Sequence, residues 1–430
     1  MRSTESVHEF RAREPIAVTG IGAVLPGGSG KDAFWQNIST GTSQIGKLTR
    51  FDPDRERLPV FAAAQIDDFD HRPYLPGLRP SHAAKYTREI LIAMSAAEQA
   101  RQDAALLPGA VDPRRLSIVM SSSRGPLDWW STAMEAGPDA PYADSGAMFR
   151  GLPGSPASMA AIRMGAQGLV TTISNACVGG HHAIGLALHE LRSGASDAVL
   201  VGGHEFPILA QVARCYLALG DGVISGERDE PARAVRPYSK DREGFALGEG
   251  SVVLCLERES SARVRGARIY ANILSHRALN EADHPTTMDM TGELTAGLIR
   301  EVLADAGRTP DEVDYVCGHG TATRYNDLAE SRALRALYPD RGADRLPPHG
   351  SNKPIYGHTF GMAGIINTAA TSLMLHHRTI APTANLVHPD PECDHDHVAE
   401  GPRKAELDLA VSMSFAFGSQ TSVLALGAAR

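Results

Sequence analysis

Four side chains in three short motifs have types and settings suited to nucleophilic and oxyanion chemistry. They are Cys177 in TTISNACVGG (171–180), His319 in HGTAT (319–323), and Lys353 and His358 in SNKPIYGHTFGMAG (351–364). A short extended run leads to Cys177, and after it Ala183, Ile184, Ala187, Leu188 and Leu191 recur at helical spacing, so the thiol is expected where a strand gives way to a helix. Unpaired backbone N–H groups and the positive end of a helix dipole favour thiolate there, which predicts a lowered pKa and a nucleophile competent at neutral pH. In isolation the segment also reads as a small buried apolar residue. His319 follows the apolar run 315–317, at the strand end where open α/β sheets hold ligands. Each histidine alone also reads as a structural or surface group, but the three segments together point to a thiol served by imidazoles.

The elements that must position them alternate along the chain. Short β-branched or apolar runs at 16–19, 116–121, 198–202, 252–256, 269–273, 315–317, 411–415 and 422–426 read as strands, several apolar on both faces. Helical spacing appears over 85–103, 181–192, 294–306, 327–337 and 362–375. Such alternation predicts a layered α/β fold. The stretch 136–156, rich in Gly, Pro and Ser, reads as an excursion. A break after Glu257 divides the chain into halves 1–257 and 258–430, with no repeat visible between them.

Composition narrows the classes. The chain has 430 residues, 43% hydrophobic and 21% charged, with 42 glycines, as suits one large or two fused globular units. A formal net charge of −8 argues against general affinity for nucleic acid or an anionic membrane surface. No apolar run approaches the roughly 20 residues that span a bilayer, and a cytoplasmic location is expected. The five cysteines are scattered and odd in number, which suits reduced thiols rather than a disulfide framework or zinc site, and no metal is assigned. Cys393, His395 and His397 are expected to form a solvated turn. Leu25 occupies the third glycine position of TGIGAVLPGG, so nicotinamide binding is not expected.

With PYSKDREGFALGEG (237–250) and SFAFGS (414–419), these motifs stand in the order found in β-ketoacyl synthases of the elongating Cys-His-His type, and the chain resembles that family from about 15 to 426. The resemblance implies a thiolase-like five-layered α-β-α-β-α sandwich of two similar halves, usually dimeric, working as a discrete type II fatty-acid or polyketide enzyme. It implies decarboxylative Claisen condensation. Cys177 takes an acyl group from an acyl carrier protein as a thioester, and His319 and His358 stabilise the enolate formed from malonyl-carrier protein. The backbone N–H groups of Cys177 and Phe417 form the oxyanion hole, and Lys353 orients His358 and its surroundings. Thr321, Thr323 and Thr286 contact the pantetheine arm, while Arg124 and Tyr216 line the acyl pocket. The resemblance implies no cofactor bound by this chain, since the carrier brings its own phosphopantetheine arm. The implied partners are that carrier and either a second copy or a chain-length-factor-like subunit. Two alternatives are an acyltransferase on the same fold making esters or amides, and a non-catalytic chain-length-factor-like partner, which Cys177 argues against.

Several positions depart from the family pattern. Asn367 stands where a glutamate is common and cannot pair with Lys353 as a carboxylate would. HGTAT replaces HGTGT, and Ala416 and Ser419 replace glycines beside Phe417, which predicts a stiffer gate. Arg124 in SSSRGP replaces a small or aliphatic residue. It implies a polar acyl terminus, a shortened pocket or an ion pair across a subunit interface. Arg72 and Arg79 are candidates for receiving an acidic carrier protein, or are simply solvated.

Overall fold

Ten strands and six helices position the site, in two sets with matching connections. The computed structural model describes residues 14–137 and 146–429, so part of the expected excursion at 136–156 lies outside the described residues. The first set runs β1 (Ile16–Leu25), α1 (Arg88–Asp103), β2 (Leu116–Ser121), α2 (Ser155–Met164), β3 (Val170–Ile173), α3 (Gly179–Ser193), β4 (Ala198–Glu205) and β5 (Gly250–Arg258). Its strands lie in the order β3-β2-β4-β5-β1, with β2 parallel to β3 and β4, and β5 antiparallel to β4 and β1.

The second set runs β6 (Ala271–Asn280), α4 (Glu293–Asp305), β7 (Tyr315–Cys317), α5 (Arg324–Leu337), β8 (His349–Gly350), α6 (Ala363–His377), β9 (Leu409–Ala416) and β10 (Gln420–Ala428). The order β8-β7-β9-β10-β6 and every strand direction repeat the first set. A duplication that the sequence hides is plain in the topology. The two sheets also share an edge, where Ile16, Ala17 and Val18 of β1 pair antiparallel with Ile273, Asn272 and Ala271 of β6.

Side-chain alternation along the strands builds three cores. Ile118 and Met120 of β2 face an outer core with Ile90, Ala97 and Ala160 of α1 and α2, whereas Val119 faces a central core. The central core joins Ile184 and Leu188 of α3 and Ile365, Ala369 and Leu373 of α6 to inward residues of both sheets. A second outer core packs Ile299, Val302 and Leu334 of α4 and α5 on Val316, Val411 and Met413. These are the five layers of the thiolase-like sandwich. Strands covered on both faces must be apolar on both, which is why they read as continuous hydrophobic runs. The same logic makes α6 buried from Ala363 to Leu375, all round its axis.

Both central helices start alike. A 3₁₀ turn, Ala176–Val178 before α3 and Phe360–Met362 before α6, opens on a non-glycine residue in the left-handed region, φ 43° at Ala176 and 42° at Phe360. The two helix starts then touch at glycines. A Cβ on Gly180 would lie 2.9 Å from the Ile365 nitrogen and 3.2 Å from the Gly364 Cα, and one on Gly364 would lie 2.9 Å from the His181 nitrogen. Among the described residues no helix is long and apolar enough to cross a membrane.

Candidate active site

Cys177 occupies the middle of the first 3₁₀ turn, directly ahead of α3. His319 leaves the end of β7, and His358 lies between the short helix Lys353–Tyr356 and the second 3₁₀ turn. The Cys177 sulfur and a ring nitrogen from each histidine all fall within 4.8 Å of one another, with Sγ 3.3 Å from His358 Nε2. All three residues are buried. The 237–250 motif is the clamp on His358: the His358 N–H donates to the Ala246 carbonyl (2.7 Å), and the His358 carbonyl accepts from the Gly248 N–H (3.0 Å).

Hydrogen-bond partners assign the imidazole tautomers. His358 Nδ1 accepts from the Phe360 N–H (3.2 Å), so its proton is on Nε2, facing the sulfur. His319 Nδ1 lies 3.2 Å from the Lys353 ammonium, which leaves its proton on Nε2 as well. Lys353 also donates to the His319 carbonyl. The ammonium therefore serves His319, not His358 as expected from the motif. Glu330 on α5 completes the arrangement, accepting from the N–H groups of His319 (2.9 Å) and Gly320 (2.6 Å).

Electrostatics follow from burial. Both imidazoles are held well below the ordinary histidine range, chiefly by desolvation and then by the Lys353 charge, so both are neutral donors at neutral pH. Burial brings Lys353 down to about 8, with Glu330 the strongest opposing charge. The expected lowering of the thiol pKa is corrected. Desolvation pushes Cys177 up to about 11, against the pull of Lys353 and Arg124, so the resting sulfur carries its proton. Asn367 does not reach Lys353 by hydrogen bond. Its amide donates to the Gly318 carbonyl (3.2 Å) and its oxygen accepts from Asn352 (3.4 Å).

Comparison with known proteins places the chain in a family. Residues 13–262 match the description "Beta-ketoacyl synthase, N-terminal domain", and residues 270–387 match "Beta-ketoacyl synthase, C-terminal domain". The chain belongs to the β-ketoacyl synthase family. This synthase is 35% identical to the tetracenomycin polyketide synthase ketoacyl synthase alpha subunit of Streptomyces glaucescens, over 96% of this chain and 97% of that protein. It is 32% identical to 3-oxoacyl-[acyl-carrier-protein] synthase 2 of Synechocystis sp., over 96% and 98%. Among solved structures it resembles the ishigamide ketosynthase/chain length factor, with a TM-score of 0.86 at 29% identity, covering 97% of this chain and 100% of that one. The same figures hold for a type II polyketide-synthase acyl-carrier protein in complex with its ketosynthase bound to the hexaketide.

Other expected residues of the synthase fall as follows. Phe417 lies 42% exposed at the tip of the β9–β10 hairpin, its ring 6.3 Å from that of Tyr216. Gly418 and Ser419 behind it are left-handed (φ 86° and 55°), and the tip is tied to the neighbouring loop by Gly418 N–H to the Pro285 carbonyl (2.7 Å) and by Ser419 to His284. Thr321 and Thr323 join hydroxyl to hydroxyl at 2.8 Å, while Thr286 is exposed in the loop that holds the hairpin tip. Arg124 donates to the Tyr216 hydroxyl and to Ser123 Oγ (2.8 Å). Arg72 is paired with Asp70 (2.8 Å) and Arg79 with His82 (2.7 Å), both on the surface.

Cys393, His395 and His397 do not form a solvated turn: Cys393 and His397 are buried, and the His397 ring stacks on Tyr238 with centroids 4.3 Å apart. The turn is covered because its backbone caps the second sheet, His349 N–H donating to the Asp396 carbonyl at 2.8 Å. Glu330 was missed by sequence reasoning. The available signal was an acidic pair, Asp327 and Glu330, on the same helical face as Leu334 and Leu337, where only apolar groups belong unless they are satisfied.

Proposed function

We propose that this synthase lengthens a carrier-bound acyl chain by decarboxylative Claisen condensation in the cytoplasm, where its five free cysteines stay reduced. One observation carries the reading: a thiol sulfur and a ring nitrogen from each of two imidazoles lie within 4.8 Å of one another. The half 1–257 brings the nucleophile and the half 258–430 the two histidines. The Cys177 sulfur attacks the donor thioester carbonyl, the bond from that carbonyl to the phosphopantetheine sulfur breaks, and the thiol proton leaves with the departing pantetheine thiol. The backbone N–H groups of Cys177 and Phe417 hold the oxyanion.

Malonyl-carrier protein then enters with its arm along Thr321 and Thr323, with Thr286 at the mouth. Its carboxylate leaves as carbon dioxide, and the released electron pair forms an enolate whose oxygen takes hydrogen bonds from Nε2–H of His319 and His358. Donors already in place and neutral are the efficient way to stabilise such a developing charge. The enolate carbon bonds to the acyl carbonyl on Cys177, the carbon–sulfur bond breaks, and the thiolate recovers a proton from water. Lys353 fixes His319 and adds positive charge behind it. The phosphopantetheine arm comes from the carrier, in keeping with the carrier-bound ketosynthase among the similar structures.

A second subunit is part of the reading. β3 is a sheet edge paired only with β2 among the described residues, with Leu169 beside it and Ile162 on α2 exposed. An open edge flanked by apolar groups suits pairing with another copy or with a chain-length-factor-like chain. Incubation with acyl- and malonyl-carrier proteins, followed by mass measurement of enzyme and carriers, tests the function. The expected result is an acyl adduct on wild type, none on Cys177→Ala, and a 3-oxoacyl carrier product only with wild type. An adduct that passes to an alcohol or amine without loss of carbon dioxide indicates the acyltransferase alternative, and no adduct with any donor indicates a scaffold.

A further inference from the structure

Arg124 places a guanidinium in the aromatic wall beside the nucleophile. It lies 4.4 Å from the centroid of Phe360 and 5.3 Å from that of Tyr216, and the Phe360 ring in turn stacks on His358 at 4.4 Å. Tyr216 and Phe360 share one buried cluster with Cys177, Ile208 and Val212. The charge is felt at both Cys177 and His358. The side chain therefore lies in the wall of the reacting centre.

Its partners are incomplete for a cation. A guanidinium has five N–H donors, and Arg124 donates to two hydroxyls, Ser123 Oγ and the Tyr216 hydroxyl. Among the described residues no carboxylate stands within 4.0 Å of it. Glu205, the buried acid nearest in effect, is already used by the N–H groups of Ser123 (2.7 Å) and Gly361 (3.0 Å). Because Tyr216 accepts from Arg124, its own hydroxyl proton is left to donate, so two donors converge. A hydrocarbon tail would cover the charge and offer it nothing, at the cost of desolvating an unpaired cation. A carboxylate in the same place takes both donors and neutralises the charge, and the planar fork of arginine is built for that match.

We propose that Arg124 and Tyr216 form an anion-reading subsite, and that the acyl group loaded on Cys177 is a short one ending in a carboxylate, the half-thioester of a small dicarboxylic acid. The inference rests on the condensing reading above and names its substrate class. The test offers wild type, Arg124→Leu and Tyr216→Phe the pantetheine thioesters of glutarate, succinate, 5-oxohexanoate and hexanoate, and follows the Cys177 adduct by intact mass against time. Wild type is expected to load glutaryl or succinyl at least tenfold faster than hexanoyl or the isosteric ketone. Arg124→Leu reverses that order and Tyr216→Phe weakens it, the donors being compared with one another within each variant. Equal loading of the ketone or hexanoyl by wild type, or a carboxylate preference that survives Arg124→Leu, overturns the subsite and leaves the condensing reading standing. Absence of any adduct from any donor, including acyl-carrier protein, overturns the condensing reading itself.

Discussion

The starts of α3 and α6 hold equivalent places in the two halves, and their differences decide which side chains each presents. Both are 3₁₀ turns opening on a left-handed non-glycine residue and running into helices of 15 residues. Cys177 holds the second place of one turn and Gly361 the second place of the other. A side chain is barred from the latter, where a Cβ would fall 2.5 Å from the Ser123 nitrogen. The connection from β3 to α3 is short, residues 174–178, and delivers the nucleophile on the turn itself. The one from β8 to α6, residues 351–362, has room for the extra helix that carries Lys353 and for His358 after it. A duplicated scaffold thus aims two helix N-termini at one point, and the unequal loops decide that one brings Cys177 and the other Lys353 and His358.

Three experiments break or sharpen that comparison. His358→Ala removes the contribution of the longer loop alone. Condensation is expected to fall about 100- to 1,000-fold, or about 2.7–4 kcal/mol, while acyl loading on Cys177 changes far less. Single-turnover loading and carbon dioxide release, timed separately, check it; equal losses in both steps show that the loops do not divide the work.

The shared seam comes next. Gly180→Val forces a side chain against the backbone of Gly364 and Ile365, an overpacking expected to cost about 1–3 kcal/mol, visible as a lower Tm. Gly297→Ala on α4, where a Cβ meets nothing within 4 Å, is the control and is expected to hold or raise Tm. An unchanged Tm in Gly180→Val would mean the helix starts do not depend on their contact.

pH separates the halves with the smallest effect. Lys353, held near 8, is charged below that value and loses its proton as pH rises through it, so condensation is expected to decline above about pH 8. Cys177, pushed up to about 11, is protonated throughout that range, and its thiolate fraction grows tenfold per unit. Iodoacetamide alkylation of Cys177 is therefore expected to climb from pH 7 to 9 while condensation falls. A plateau of alkylation near pH 7 would restore the thiolate expected from the helix start.

The sequence was most informative where burial demands a continuous pattern. Strands 116–121 and 315–317 match β2 and β7, because a strand covered on both faces leaves no polar interruption to blur its ends. The apolar pattern ends at 273 while β6 continues to Asn280, since its outer part, through Arg277 and Asn280, pairs with β10 at a rim where polar residues are tolerated. The duplication is invisible in the sequence because it resides in backbone: ACVGG and FGMAG share little but a glycine, though they fold alike. What sequence cannot carry is the contact between distant elements. The service of Lys353 to His319, the grip of Glu330 on the HGTAT loop and the burial that raises the thiol pKa all arise only when α5, β7 and α3 are brought together.

The pairing of β1 with β6 bears on how far the chain is divisible. Ile16 to Val18 find one set of backbone partners on β5 and the other across the boundary on β6. A fragment ending after Glu257 would present that strand as a raw edge, and its complement would do the same with β6, so each piece would be a template for the other and for stray copies of itself. Expression of the halves as separate polypeptides is thus a problem of reassembly and aggregation, and not of two autonomous folding units.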